Sequence, residues 1–124
     1  MVKANFTRPS DTTTYAAGDA VTNSTSAPTV ITFNSCARYD AGSGVITNVL
    51  LQDSANVSTK GSFELWLFHT TVTPDNDNSA FTPTDAENRT LVAVIPFTLS
   101  YIGDATSGAG GNAPTITKVA AITR

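Results

Sequence analysis

The stretch that decides the fold is Gly61–Ser62–Phe63–Glu64–Leu65–Trp66–Leu67–Phe68–His69. Phe63, Leu65 and Leu67 alternate with Glu64, Trp66 and Phe68, and side chains two apart share a strand face. Both faces are apolar past Glu64, as in a strand covered on both sides by its own protein or by a neighbouring subunit. Leu91–Leu99 reads the same way. Pro96 has no N–H to give a ladder and is expected at an edge or a bulge.

Working outward, further strands are expected at Asp19–Thr22, Thr29–Phe33, Val45–Asp53 and Ile116–Ile122, with Cys36–Tyr39 before the Asp40–Gly44 turn. In the long Val45–Asp53 strand, Val45, Thr47, Val49 and Leu51 share one face. Ser54–Lys60 reads as a polar loop and Gly103–Pro114, which holds four of the eight glycines, as a flexible one. Helix signals are nearly absent. Thr84–Asp85–Ala86–Glu87 after Pro83 has the capping-box spacing and predicts a helix of a turn or two. Seven or eight short strands without βαβ alternation predict an all-β fold, an antiparallel β-sandwich or jelly roll with at most one short helical turn. Residues 1–18 are polar and strand-poor and read as an N-terminal arm, with residues 19–124 as a single domain.

Composition narrows the function. Only 14% of the 124 residues are charged, against about 25% in ordinary domains, and polarity comes instead from Thr, Ser and Asn. The net charge is −3, and the seven basic residues (Lys3, Arg8, Arg38, Lys60, Arg89, Lys118, Arg124) include no adjacent pair. Nothing here forms a patch for a nucleic-acid backbone. Leu91–Val92–Ala93–Val94–Ile95 falls far short of a bilayer span, and Met1–Phe6 lacks the apolar run of a signal peptide. Cys36 has no second cysteine to pair with, which suits synthesis in the cytosol. Asn5, Asn23, Asn56 and Asn88 open N-x-[ST] sequons, a pattern expected by chance in so Ser- and Thr-rich a chain.

Candidate chemistry is sparse. Nucleophilic catalysis needs a base beside the nucleophile, and nothing places the sole histidine, His69, beside Cys36. One Cys and one His cannot supply a usual zinc ligand set. Asp53 and Glu64 are the acids nearest strong strands, and Glu64 shares a face with Trp66 as some sugar sites do. Asp75, Asp77 and Ser79 alternate like the first EF-hand ligands. Ala80 replaces the turn glycine, however, and Ala86 the bidentate Glu, so an Asx-turn loop is the default and calcium the weaker reading. Gly108–Gly111 opens no helix and is no phosphate cradle. No cofactor is expected.

The stretch Phe6–Thr7–Arg8–Pro9–Ser10–Asp11–Thr12–Thr13–Thr14–Tyr15–Ala16–Ala17–Gly18–Asp19 resembles the opening of a family of small virion structural proteins of tailed bacteriophages. Cys36–Ala37–Arg38 through Gly42–Ile46, then Phe63–Phe68, then Asp75–Phe81 are similar to that family in the same order. The resemblance covers roughly Phe6 to Phe97. It implies a compact β fold and a non-enzymatic role, most concretely a head decoration (cement) protein. Such a protein binds the major capsid protein on the outer shell and self-associates, with a trimer favoured at three-fold shell positions. It would assemble in the host cytoplasm and reside on the virion. Phe6, Arg8 and Pro9 are the expected shell contacts and Tyr15 an anchor, because aromatic and Arg residues dominate interface energies. Two rivals remain: a tail or fibre component, although repeats and coiled coils are lacking, and a carbohydrate-binding module stacking sugars on Trp66, Tyr39 or Tyr101.

Overall fold

A computed structural model describes residues 2–39, 42–52 and 61–98, with main chain only at 52, 114–117 and 122–123. The chain groups into two units, Met1–Gly42 with Phe68–Leu91, and Ser43–Leu67 with Val92–Arg124. The described elements are six strands and one short helix, so the described residues have an all-β character. The strands are β1 (Val45–Ile46), β2 (Val49–Gln52), β3 (Ser62–Phe68), β4 (Leu91–Thr98), β5 (Pro114–Thr117) and β6 (Ile122–Thr123); the helix is α1 (Asp85–Asn88). They form three two-stranded pairs, β1 with β6, β2 with β5 and β3 with β4.

β3 and β4 lie where the alternation places them. Leu65, Trp66, Leu67 and Phe68 are all half-buried, as expected of a strand with two apolar faces. In β4 the burial alternates from Val94 onward: Ile95 and Phe97 are each 2% exposed, while Val94, Pro96 and Thr98 face outward. Pro96 is tolerated because, among the described residues, β4 has a partner on one side only. His69 N–H donates to the Thr90 carbonyl at 3.0 Å, closing the ladder where β3 ends and β4 begins.

The long strand expected over Val45–Asp53 is interrupted. β1 and β2 are separate, and their antiparallel registers do not run on from one another: Ile46 pairs with Ile122, whereas Val49 pairs with Thr117. One side therefore carries more chain between the pairs than the other, and the break resets the pleat. Val45 is 49% exposed beside a half-buried Ile46, whereas in β2 the odd residues Val49 and Leu51 are half-buried and Leu50 is 53% exposed. Val45 thus does not share the face of Val49 and Leu51, since a register change alters which face each residue presents. The strand expected at Ile116–Ile122 is divided in the same way between β5 and β6.

In the first unit the expected strand Asp19–Thr22 is reduced to a single antiparallel bridge, Asp19 with Ala80. Around it, Ala20 N–H donates to Ser79 O (2.8 Å), Asn78 N–H to Ala20 O (2.9 Å) and Phe81 N–H to Gly18 O (2.8 Å). Gly18 has φ +90°, a conformation that L side chains rarely adopt, and Asn78 at φ +59° is a residue type that tolerates it. Ala20, 7% exposed, is buried at this crossing. The segment expected as a strand at Thr29–Phe33 joins no described ladder but runs without turn or bend from Pro28 to Phe33. Cys36–Tyr39 is not a strand, and Ala37–Tyr39 within it is bent.

The capping box forms as read. Thr84 Oγ1 accepts from Glu87 N–H, and Glu87 Oε2 accepts from Thr84 N–H at 2.8 Å. Glu87 Oε1 also accepts Thr73 N–H at 2.7 Å, tying α1 to the preceding loop. These bonds, Thr73 foremost and then Thr84, hold the Glu87 carboxyl below its ordinary value. Asp53, Ser54–Lys60, Tyr101 and Gly108–Gly111 lie outside the described residues.

Candidate interaction site at the N-terminal segment

The first unit is organised around one buried acid. Asp77 is 3% exposed, and an ionised carboxylate so placed needs partners for both oxygens. The Tyr15 hydroxyl donates to Oδ1 at 2.7 Å and reaches Oδ2 at 2.9 Å. Thr22 N–H donates to Oδ1 at 2.8 Å. The Arg8 Nε lies 3.5 Å from Oδ2, an ion pair without hydrogen-bond alignment. Asp77's own N–H donates to Ser24 O at 2.8 Å, so its backbone is fixed along with its side chain.

Arg8 and Tyr15 also hold each other. The guanidinium carbon stands 4.5 Å from the Tyr15 ring centroid, within cation–π range, and Arg8 Nη2 donates to Asp11 Oδ1 at 3.0 Å. Burial, followed by the hydrogen bond to Asp77 and that residue's negative charge, pushes the Tyr15 hydroxyl well above its ordinary value. Tyr15 therefore remains a donor throughout the neutral range. The result is a polar clip in which a carboxylate on the 75–79 loop grips two residues of the N-terminal segment.

Of the expected shell contacts, Arg8 and Tyr15 meet at Asp77. Pro9 is half-buried, and its carbonyl accepts Asp11 N–H at 3.1 Å. Phe6 stands apart from the clip, 39% exposed, near the 41% exposed Val2 in sequence. Lys3–Phe6 form one side of a groove of about 330 Å³ whose other lining is Asn23 and Thr29–Thr32.

The residues of the possible calcium loop have separate protein partners. Asp75 Oδ2 accepts Thr82 N–H at 2.8 Å, Asp77 serves the clip, and Ser79 gives its carbonyl to Ala20. No cluster of three or more His, Cys, Asp or Glu able to hold a metal occurs among the described residues. Cys36 is exposed and its Sγ lies 3.0 Å from Phe33 O, while His69 is exposed and engages Thr90 through its main chain. Trp66 Nε1 donates to Glu64 Oε2 at 3.0 Å, which confirms the shared face read for that pair. Tyr39 is 73% exposed. No described helix is long and apolar enough to cross a membrane.

Sequence reasoning picked out Arg8, Tyr15 and Asp77 separately, for other roles, and missed that they form one site. Thr22 and Ser24 were missed altogether. A buried acid in a loop that reads as an ordinary Asx turn gives no local signal of its distant partners. No family model, curated protein or solved structure matches the chain.

Proposed function

We propose that this protein is a non-enzymatic binding protein of a phage particle, most concretely a decoration protein that attaches to the outer head surface and stabilises the shell. In this reading the strand pairs belong to a β-sandwich of jelly-roll type. The major capsid protein is its partner, and the protein self-associates on the virion surface after synthesis in the host cytoplasm. The supporting observation is the clip on Asp77, which fixes Arg8 and Tyr15 and leaves Phe6 and Val2 exposed on the chain before them. An apolar side chain on an anchored segment loses little conformational freedom on docking, and many weak copies on a lattice gain strength through multivalency. The resemblance to virion structural proteins supplies the particle.

The first test is copy number in purified particles, by quantitative mass spectrometry against the major capsid protein. Comparable numbers are expected; a few copies per particle would move the protein to the tail, and absence would end the virion reading. The N-terminal contact is tested with Phe6→Ala, which leaves the clip intact, alongside deletion of residues 1–14. Both variants should lose capsid binding. Full binding by Phe6→Ala would remove this residue from the interface.

A second reading rests on Tyr39, whose exposed ring has the form of a sugar-stacking platform. Binding on a glycan array that Tyr39→Ala abolishes would establish it.

A further inference from the structure

The turn at Asn34–Ser35 is spanned by a single contact, the 3.0 Å approach of Cys36 Sγ to the Phe33 carbonyl. Asn34 and Ser35 are both exposed, and Ser35 has φ +58°. Neither makes a hydrogen bond to the described residues, through main chain or side chain. Asparagine is a thermolabile residue because its amide can be lost to its own chain. The main-chain nitrogen of the following residue attacks the side-chain carbonyl carbon and closes a five-membered ring. Three conditions favour this step: a small following side chain, an amide able to turn toward that nitrogen, and an N–H not held in another hydrogen bond.

The described asparagines differ in these respects. Asn23, Asn34 and Asn78 precede serine, whereas Asn5, Asn48, Asn76 and Asn88 precede the larger Phe6, Val49, Asp77 and Arg89. Asn23 is locked at both ends of its amide: Oδ1 accepts Thr29 N–H at 2.8 Å, and Nδ2 donates to Thr29 Oγ1 at 2.7 Å. At Asn78 the attacking nitrogen is engaged, because Ser79 N–H donates to Asn76 O at 3.2 Å, and Asn78 N–H is itself given to Ala20 O at 2.9 Å. Asp77 N–H and Arg89 N–H are likewise committed, to Ser24 O at 2.8 Å and Asp85 O at 3.3 Å. Among the described residues, Asn34 alone meets all three conditions.

We propose that Asn34 is a site of spontaneous deamidation in the folded protein, with the Ser35 main-chain nitrogen as nucleophile and water as the only co-reactant. Hydroxide takes the Ser35 N–H proton, the nitrogen bonds to Asn34 Cγ, and the Cγ–Nδ2 bond breaks to release ammonia. Water then opens the ring at either carbonyl. Opening at Cγ leaves an aspartyl residue on the original main chain. Opening at the other carbonyl leaves an isoaspartyl link, in which the main chain runs through the former side chain and is one carbon longer. Nothing is oxidised or reduced: one water is consumed and one ammonia leaves. Both products place a carboxylate in the run Asn23–Ala37, which carries no charged residue, and take the net charge one unit below −3. The exposed turn, with no main-chain hydrogen bond of its own among the described residues, can accommodate the longer link without disturbing a ladder. The inference does not depend on the decoration reading.

The test is to age the intact folded protein in warm, mildly alkaline buffer and follow each asparagine by peptide mass spectrometry with fragment-ion localisation. Isoaspartate methyltransferase with a labelled methyl donor reports the isoaspartyl product. Conversion at Asn34 is expected several-fold ahead of Asn23 and Asn78, with methyl label on the peptide that carries residue 34. In urea the three Asn–Ser pairs should react at similar rates, since only the fold distinguishes them. Ser35→Gly, which suits φ +58° and removes the side chain, should speed the reaction at Asn34. Asn34→Gln should lose both the acid and the label from that peptide. An Asn34 that stays intact when folded but reacts in urea, Asn23 or Asn78 reacting as fast as Asn34 in the folded protein, or no acceleration by Ser35→Gly would each overturn the proposal.

Discussion

The hydroxyl of Tyr15 is forked between the two carboxylate oxygens of Asp77, at 2.7 and 2.9 Å, across 62 residues of sequence. Hydrogen bonds to charged groups contribute about 1.5–3 kcal/mol, and breaking a buried ion pair from one side costs about 3–5 kcal/mol. Tyr15→Phe is therefore expected to lower unfolding free energy by about 2 kcal/mol in urea titrations. Asp77→Ala should cost more, because it leaves the Tyr15 hydroxyl and the half-buried Arg8 without their shared partner. Equal, near-zero effects would mean that the clip contributes no stability.

The same contact has an alkaline signature. Tyr15 is held above its ordinary value of 10.0 in the folded protein, so its stabilising contribution is complete below that pH and is lost as pH rises above it. Phenolate absorbance should show Tyr15 titrating well above its ordinary value, or only upon unfolding. Asp77→Asn should bring that titration down.

Glu87 acts at the opposite end of the scale. Its carboxyl is held below its ordinary value of 4.5 by Thr73 and Thr84, so the contribution is present above that pH and is lost as pH falls toward the folded-state value. Glu87→Gln should flatten this part of the acid-unfolding profile. Thr84→Ala removes the cap itself and should cost about 0.5–2 kcal/mol at neutral pH.

Calcium should leave the melting temperature unchanged, because the carboxylates of Asp75 and Asp77 already accept from Thr82, Tyr15 and Thr22. A calcium-dependent rise that Asp75→Asn abolishes would show that the loop rearranges to take the ion.

Cys36 should react stoichiometrically with a maleimide in the folded state, since its side chain is exposed. The adduct should retain the native circular dichroism. Labelling only after denaturant is added would show that the thiol is covered in solution.

How much was legible in the sequence follows from the range of each interaction. β3, β4 and the Thr84–Glu87 box were readable because alternation and capping are set by residues within a few positions of one another. The break between Ile46 and Val49 was not, since unbroken alternation carries no mark of a register change imposed by β5 and β6. Val30–Thr32 shows the reverse: strand-forming residues are present, but the described chain provides no ladder beside them. The clip was the least visible. Arg8 and Tyr15 read as exposed contacts and Asp77 as a loop residue, and only the crossing of 18–24 with 77–81 brings them together.

The pairing of β1 with β6 and of β2 with β5 has a consequence for biogenesis. As the chain emerges from the ribosome, Val45–Gln52 must wait for residues 114–123 before either strand gains its partner. Contacts so distant in sequence form slowly, and the early strands stay exposed to other nascent chains until they do. Ribosome-stalled chains ending before Pro114 would carry β1 and β2 without these partners, so the ladders of Val45–Gln52 close only once the last residues have been made.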